Sequence, residues 1–305
     1  MTDPQGGAKD RARALIGMGR YDEAATAARE GLAGEPADPQ LALLYAIALC
    51  ETRDKDAVAA ARRAVELQPD RAKAHQVLGW ATYRSGHFAR AADLLAHAIS
   101  LEPHDSESHV MRAEALIRMV SGSRAHRRMD HKLTAEAHAH AAEAVRLRPT
   151  SAGGYLAHAK ACLAERDPAG ATHWAEQALS VAPDNPIGHQ VLGLAARQRG
   201  DVRSAADHFV EAGKLDPRSD APIRMLRDLR TGLPGIIALL VIFRLLGLFD
   251  LALGPAIGGI VFVVGVLAVL GYRVYGARWN ARRKMSAHAR QVLERDRSMG
   301  RRRPR

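Results

Sequence analysis

Six prolines, Pro36, Pro69, Pro103, Pro149, Pro183 and Pro217, set a beat of 33, 34, 46, 34 and 34 residues along the chain. Other positions keep register with them. Twelve residues before each proline stands an alanine: Ala24, Ala57, Ala91, Ala137, Ala171 and Ala205. Five before each stands a second small residue: Gly31, Ala64, Ala98, Ala144, Ala178 and Ala212. Two before five of the six an apolar residue recurs, in Leu67, Leu101, Leu147, Val181 and Leu215. A period of this length marks stacked supersecondary units, each of which buries its apolar face only against its neighbours.

The positions have a physical reading as helix–turn–helix units. Small residues let two helices approach closely, and a proline ends the second helix because it has no amide hydrogen to continue it. Gly19, Gly86 and Gly200 stand 17 residues before their prolines, where a turn between helices needs a permissive backbone. Tyr21, Phe88 and Val202 follow two residues later and plug the seam. An aromatic content of only 5% suits helices packed through alanine better than a sheet sandwich. The fourth unit holds twelve extra residues near 121–132, SGSRAHRRMDHK. They read as a solvated loop, a helix extension, or an edge contact for an acidic partner or a membrane surface.

Leu78-Gly79, Gly86, Phe88, Ala91, Leu95, Ala98 and Pro103 resemble the tetratricopeptide pattern, as do Leu192-Gly193, Gly200, Ala205, Phe209, Ala212 and Pro217. The resemblance extends over 5–219 as six repeats: 5–38, 39–71, 72–105, 106–151 with the insertion, 152–185 and 186–219. A capping helix and linker, 220–232, follow. It implies an all-α, right-handed superhelical solenoid in which the first helix of each pair lines a concave, partner-binding face.

On that reading Lys9 and Arg13 open the groove, followed by Leu43 and Ile47. The third repeat contributes Lys73, Gln76, Trp80 and Tyr83, and the fourth Val110 and Glu114. Leu156, Lys160 and Leu194 complete it. The expected groove is apolar in its middle and basic at its N-terminal rim. Relatives that clamp a C-terminal carboxylate use paired Lys, Asn and Arg. Here Arg13 follows Lys9, Leu44 takes the central asparagine's place, and Val77 stands where an arginine belongs, so that function is not carried over. Trp80 and Tyr83 are the candidate anchors, since large aromatics with a polar edge concentrate binding energy. The competing reading is that Trp80 only packs between repeats.

Composition changes abruptly over 235–272. An apolar run at 236–253 is followed by Gly254-Pro255 and a second run at 256–272, each about long enough to cross a hydrocarbon core. Arg244 and Asp250 interrupt the first. Its thirteen Leu, Ile, Val or Phe residues contribute about −4 to −8 kcal/mol, against about +2.5 to +3.5 for a central arginine. The reading is a transmembrane helical hairpin, with an interfacial helix plus one span as the alternative.

Most of the net charge of +11 belongs to 273–305, where twelve Arg or Lys face only Glu294 and Asp296, a net of +10. Arg218, Arg224, Arg227 and Arg230 precede the hairpin. Arg273, Arg278, Arg282, Arg283 and Lys284 follow it, and the connecting turn has no cation. Under the positive-inside rule both flanks are cytoplasmic. The expectation is a bacterial plasma-membrane protein with its array and tail in the cytoplasm. The tail then contacts anionic lipids, and the hairpin offers a contact for a homo-oligomer. Nucleic acid is disfavoured, because the tail lacks interleaved aromatics beyond Tyr275 and Trp279.

No phosphate loop, dinucleotide fingerprint or nucleophile elbow occurs in the sequence, so neither an enzyme nor a bound cofactor is expected. The fourteen histidines read as solvated rather than as metal ligands, since His138 and His140, two apart on a helix, point to different faces. Cys50 and Cys162 are far apart, and MTDPQGGAKD has no apolar stretch behind a basic start, so a reducing compartment is expected. The function these features support is a membrane-anchored scaffold or adaptor for a cytoplasmic protein or peptide. The alternatives are a peptide-sensing regulator and an accessory subunit of a transport or secretion complex.

Overall fold

The computed structural model describes residues 4–122, 127–217 and 219–228. These residues form helices and short turns. The chain divides into two compact units, Met1–Glu165 and Arg166–Arg305. The first contains α1 (Pro4–Gly17), α2 (Tyr21–Gly34), α3 (Pro39–Thr52), α4 (Ala57–Leu67), α5 (Ala72–Arg84), α6 (Phe88–Leu101), α7 (Ser106–Gly122), α8 (Arg127–Leu147) and α9 (Ala152–Glu165). In it each helix packs on the next, while α1 also meets α3, α3 meets α5, and α7 meets α9. The second unit contains α10 (Pro168–Val181), α11 (Pro186–Gln198), α12 (Val202–Leu215) and α13 (Ala221–Asp228), again packed in sequence.

All twelve small residues that keep register with the prolines are buried. They are the floor on which the helices cross. At two crossings a glycine faces a large side chain. A Cβ on Gly79 would lie 2.7 Å from Cγ of Leu95, and one on Gly193 would lie 2.5 Å from Cδ1 of Phe209. Leu95 and Phe209 are fully buried, so each uses the volume its glycine leaves empty.

Among the described residues five turns carry a residue in the left-handed conformation. Gly19, Gly86 and Gly200 adopt φ of 70°, 87° and 81°. Arg53 and Arg166 do the same at 59° and 62°, though a side chain costs about 1–2 kcal/mol in that region. In Arg53 the amide closes α3 by bonding the carbonyls of Leu49 and Cys50.

The turns between pairs are fixed by the prolines themselves. His75 Nε2 donates to the Pro69 carbonyl at 2.6 Å, and His109 Nε2 to that of Pro103 at 3.0 Å. The Tyr155 hydroxyl donates to the Pro149 carbonyl at 3.3 Å. Each donor lies six residues beyond its proline, one per repeat. Side-chain caps add to this: Asp38 accepts from the Leu41 amide, Asp167 from Ala169 and Gly170, Asn185 from Ile187 and Gly188, and Asp201 from Ser204.

The insertion in the fourth repeat lengthens helices. The α7 helix runs 17 residues and α8 runs 21, against 11–14 for the other helices of α1–α12. In α13 the Leu226 side chain is buried against the Phe209 cluster of α12. Among the described residues no helix is long and apolar enough to cross a membrane. The expected hairpin and basic tail, with Arg244, Asp250, Arg273, Arg278, Arg282, Arg283 and Lys284, lie outside the described residues.

Gly193→Ala is expected to destabilise the folded chain by about 1–3 kcal/mol, the range for overpacking a filled core. Urea unfolding followed by far-ultraviolet circular dichroism checks it. An unchanged midpoint would show that Phe209 can retreat.

Candidate partner-binding site

Several residues of the expected groove are consumed by packing between repeats. Leu43 and Leu156 are each only 5% exposed and belong to the interior. Gln76 is 1% exposed: its amide donates to Asp105 Oδ2 at 2.5 Å and Ser108 Oγ at 3.0 Å, which ties α5 to the start of α7. These three are not open to a partner. The helical period assigns a side of the helix, not the depth at which the neighbouring helix covers it. Ile47, Val110 and Leu194 are half-buried; Ile47 packs on the α3–α5 core and Leu194 on the α12–α13 cluster.

Of the expected N-terminal basic rim Lys9 is neutralised, and the lysines further along the groove are paired as well. Lys9 meets Asp38 at 2.5 Å, and Lys73 meets Glu107 at 2.8 Å. Lys160 pairs with Glu114, and Arg112 pairs with Glu136 at 2.5 Å. Burial raises the Asp38 pKa, but the Lys9 and Leu41 hydrogen bonds outweigh it and hold the carboxyl below its ordinary value. Exposed Arg13 reaches only Asp10, one turn away at 3.7 Å.

Trp80 and Tyr83 are brought together. Their rings stack with centroids 5.0 Å apart and planes 8° apart, and Phe88 meets Tyr83 edge-on at 5.4 Å. Trp80 is half-buried and packs on the core between α3 and α5, so the packing and anchoring readings both apply to it. These rings, with Arg53, Arg84, Gly86 and Arg118, line a cavity of about 400 Å³ in the first unit. The Arg84 guanidinium lies 5.6 Å over the Trp80 ring and that of Arg118 lies 5.0 Å over Phe88. Burial, reinforced by the charge of Glu114, pushes the Tyr83 phenol up to about 12, so it remains a hydrogen-bond donor at neutral pH. Reading the sequence by helix face missed the three arginines. One signal was available: Arg84 and Arg118 are 34 residues apart, the same position in consecutive repeats.

Residues 9–72 match the tetratricopeptide repeat family. A thermophilic tetratricopeptide protein of Thermus thermophilus superposes with a TM-score of 0.57 at 18% identity, covering 62% of this chain and 97% of that one. PilW, a widely conserved type IV pilus biogenesis factor, gives 0.57 at 14%, covering 74% of this chain and 100% of its own. PilF of Pseudomonas aeruginosa gives 0.50 at 17%, with the same coverage. The fold is the tetratricopeptide fold. No curated protein sequence matches the chain.

Within this tetratricopeptide array, His75, His109 and His158 are buried, whereas His87, His97, His104, His131 and His173 are exposed as the sequence reading expected. His109 and His140 meet Nδ1 to Nδ1 at 2.9 Å, and His138 and His158 at 2.8 Å. His138 and His140 do face different helices, α9 and α7. Because His109 Nε2 donates to Pro103, its Nδ1 accepts, and His140 supplies the proton. Among the described residues no group of three or more His, Cys, Asp or Glu is placed to hold a metal ion. Both cysteines are buried thiols, and burial pushes Cys50 up to about 12, which leaves it unreactive.

Burial lowers the His140 pKa to about 4, helped by Arg112 and His109. Burial and His138 lower His158 to about 4 as well. An unfolded histidine titrates near 6.5, so below that pH the unfolded chain takes up protons the folded pairs refuse. Stability is therefore full above about pH 6.5, falls as the pH drops, and has lost this contribution near 4. The melting temperature is expected to be lower at pH 5 than at pH 7.5. The double variant His140→Gln, His158→Gln should flatten that slope, as read by differential scanning calorimetry.

Proposed function

We propose that this chain is a membrane-anchored scaffold that recruits a cytoplasmic protein or peptide through the face carrying Trp80 and Tyr83. The carrying observation is that ring stack, half-exposed in an open cavity of a tetratricopeptide fold. Aromatic pairs of this kind anchor interfaces because they desolvate a large area at small conformational cost. Anchoring rests on the two apolar runs in 235–272, the excess of arginine over lysine favours a bacterial plasma membrane, and the flanking arginines favour array and tail both on the cytoplasmic side. Anionic lipids then hold the basic tail. Gly258 and Gly265, seven residues apart, give the second run a face on which another copy of the chain can pack.

Arg244 and Asp250 favour a second reading, an accessory subunit of a membrane transport or secretion complex, because charges inside a span are costly unless used. PilW, of the same fold, is a pilus biogenesis factor, and at 14% identity that likeness carries the fold alone.

A photoreactive amino acid at Tyr83 is expected to cross-link a partner in cells, whereas one at exposed Arg62 on α4 is not. Trp80→Ala should weaken capture of that partner by about 2 kcal/mol, roughly 30-fold. Equal yields from both positions, or unchanged affinity in a folded Trp80→Ala protein, would remove the groove from consideration.

The topology is tested separately. Cysteines at Ala221 and Ser286, in a background lacking Cys50 and Cys162, should both resist a membrane-impermeant thiol reagent in intact cells. Labelling of the Ser286→Cys protein alone would mean a single span.

A further inference from the structure

We propose that the cup formed by Arg53, Arg84 and Arg118 around Trp80, Tyr83 and Phe88 binds an acidic peptide segment, with carboxylates on either side of an apolar side chain. The inference rests on the scaffold reading and supplies the chemistry of its partner.

The charge balance of the cup sets it apart from its surroundings. Lys73, Arg112 and Lys160 each have a carboxylate partner on a neighbouring helix. Among the described residues, no side chain of Arg53, Arg84 or Arg118 forms a hydrogen bond or ion pair, and no acid lines the cavity. Glu114, whose charge Tyr83 feels, is held by Lys160. Three guanidinium groups therefore share one cup uncompensated. Arg84 and Arg118 lie over rings, which leaves in-plane N–H groups for an anion, and the planar fork of arginine matches a carboxylate with two parallel bonds. The rings supply the apolar floor. A cavity of about 400 Å³ has room for a few side chains.

The same features argue against a polyanion. A nucleic acid needs a basic track that follows its backbone and open ring faces for its bases. Here the neighbouring cations are paired with acids, and the ring faces are partly occupied by each other and by arginine. A short segment with a few carboxylates fits the confined charge.

The test uses the full chain in detergent micelles and fluorescein-labelled peptides alternating Asp or Glu with Phe or Leu. Controls are the same peptides with Asn and Gln, and an oligothymidine of equal charge. Fluorescence anisotropy is expected to show acidic peptides binding at least about 10-fold tighter than their amides, with the advantage shrinking as salt rises. The variant Arg53→Ala, Arg84→Ala, Arg118→Ala should lose that advantage. Any oligothymidine binding, which would rest on general charge attraction to the unaltered basic tail, should be unaffected by it. If the triple variant fails to fold, Arg118→Glu, at an exposed side chain, should lose about 10-fold on its own. Equal affinity of the triple variant, or an equal loss of oligothymidine and peptide, would overturn the proposal. Amide peptides binding as well as acidic ones, in a manner that needs Trp80, would also overturn it and leave the scaffold reading standing. Absence of binding by every peptide overturns it too, while cross-linking at Tyr83 judges the scaffold independently.

Discussion

The structure depends on how closely two helix backbones can approach where a small residue faces the crossing. Alanine and glycine bury little apolar area individually, so a chain with few aromatics gains its stability from many close contacts rather than a few large ones. That choice leaves no slack. Where a large side chain does enter, as Leu95 and Phe209 do, the facing position has to be Gly79 or Gly193. A core built this way tolerates little change in side-chain volume.

Close packing also determines what happens to polar groups at the seams. A turn between helix pairs has carbonyls with no helical partner. At three of these turns a side chain supplies one: His75, His109 and Tyr155 each reach back to the preceding proline. In His109 this bond fixes the tautomer and so makes His140 the donor in the next contact. A backbone requirement thereby produces a buried imidazole pair and, through its depressed pKa, a sensitivity to acid.

The prolines and small residues made the helix pairs legible in the sequence, because those positions are constrained locally and recur. Turn geometry was half legible: Gly19, Gly86 and Gly200 announce left-handed residues, whereas Arg53 and Arg166 adopt the same conformation with side chains that give no sign of it. The insertion was legible in length but not in form, since a basic stretch continues a helix as readily as it makes a loop. The binding face was read least well. Helical period assigns a direction to Leu43, Gln76 and Leu156, but their burial is decided by the next repeat. Likewise Lys73 and Lys160 look free in sequence and are spent on acids of α7.

The period itself explains which charges are spent. Residues 34 apart occupy the same place on adjacent first helices and therefore lie side by side. Lys73 and Glu107 are such a pair, with opposite signs, and they meet. Arg84 and Arg118 are such a pair with the same sign, and they cannot meet. Each guanidinium turns to an aromatic face instead, Arg84 to Trp80 and Arg118 to Phe88. The cost of placing two like charges in register is modest at a solvated surface, about 1 kcal/mol or less. Opposite signs at the repeat period pair across the surface, as Lys73 and Glu107 do, whereas the like pair Arg84 and Arg118 finds aromatic rings instead of carboxylates.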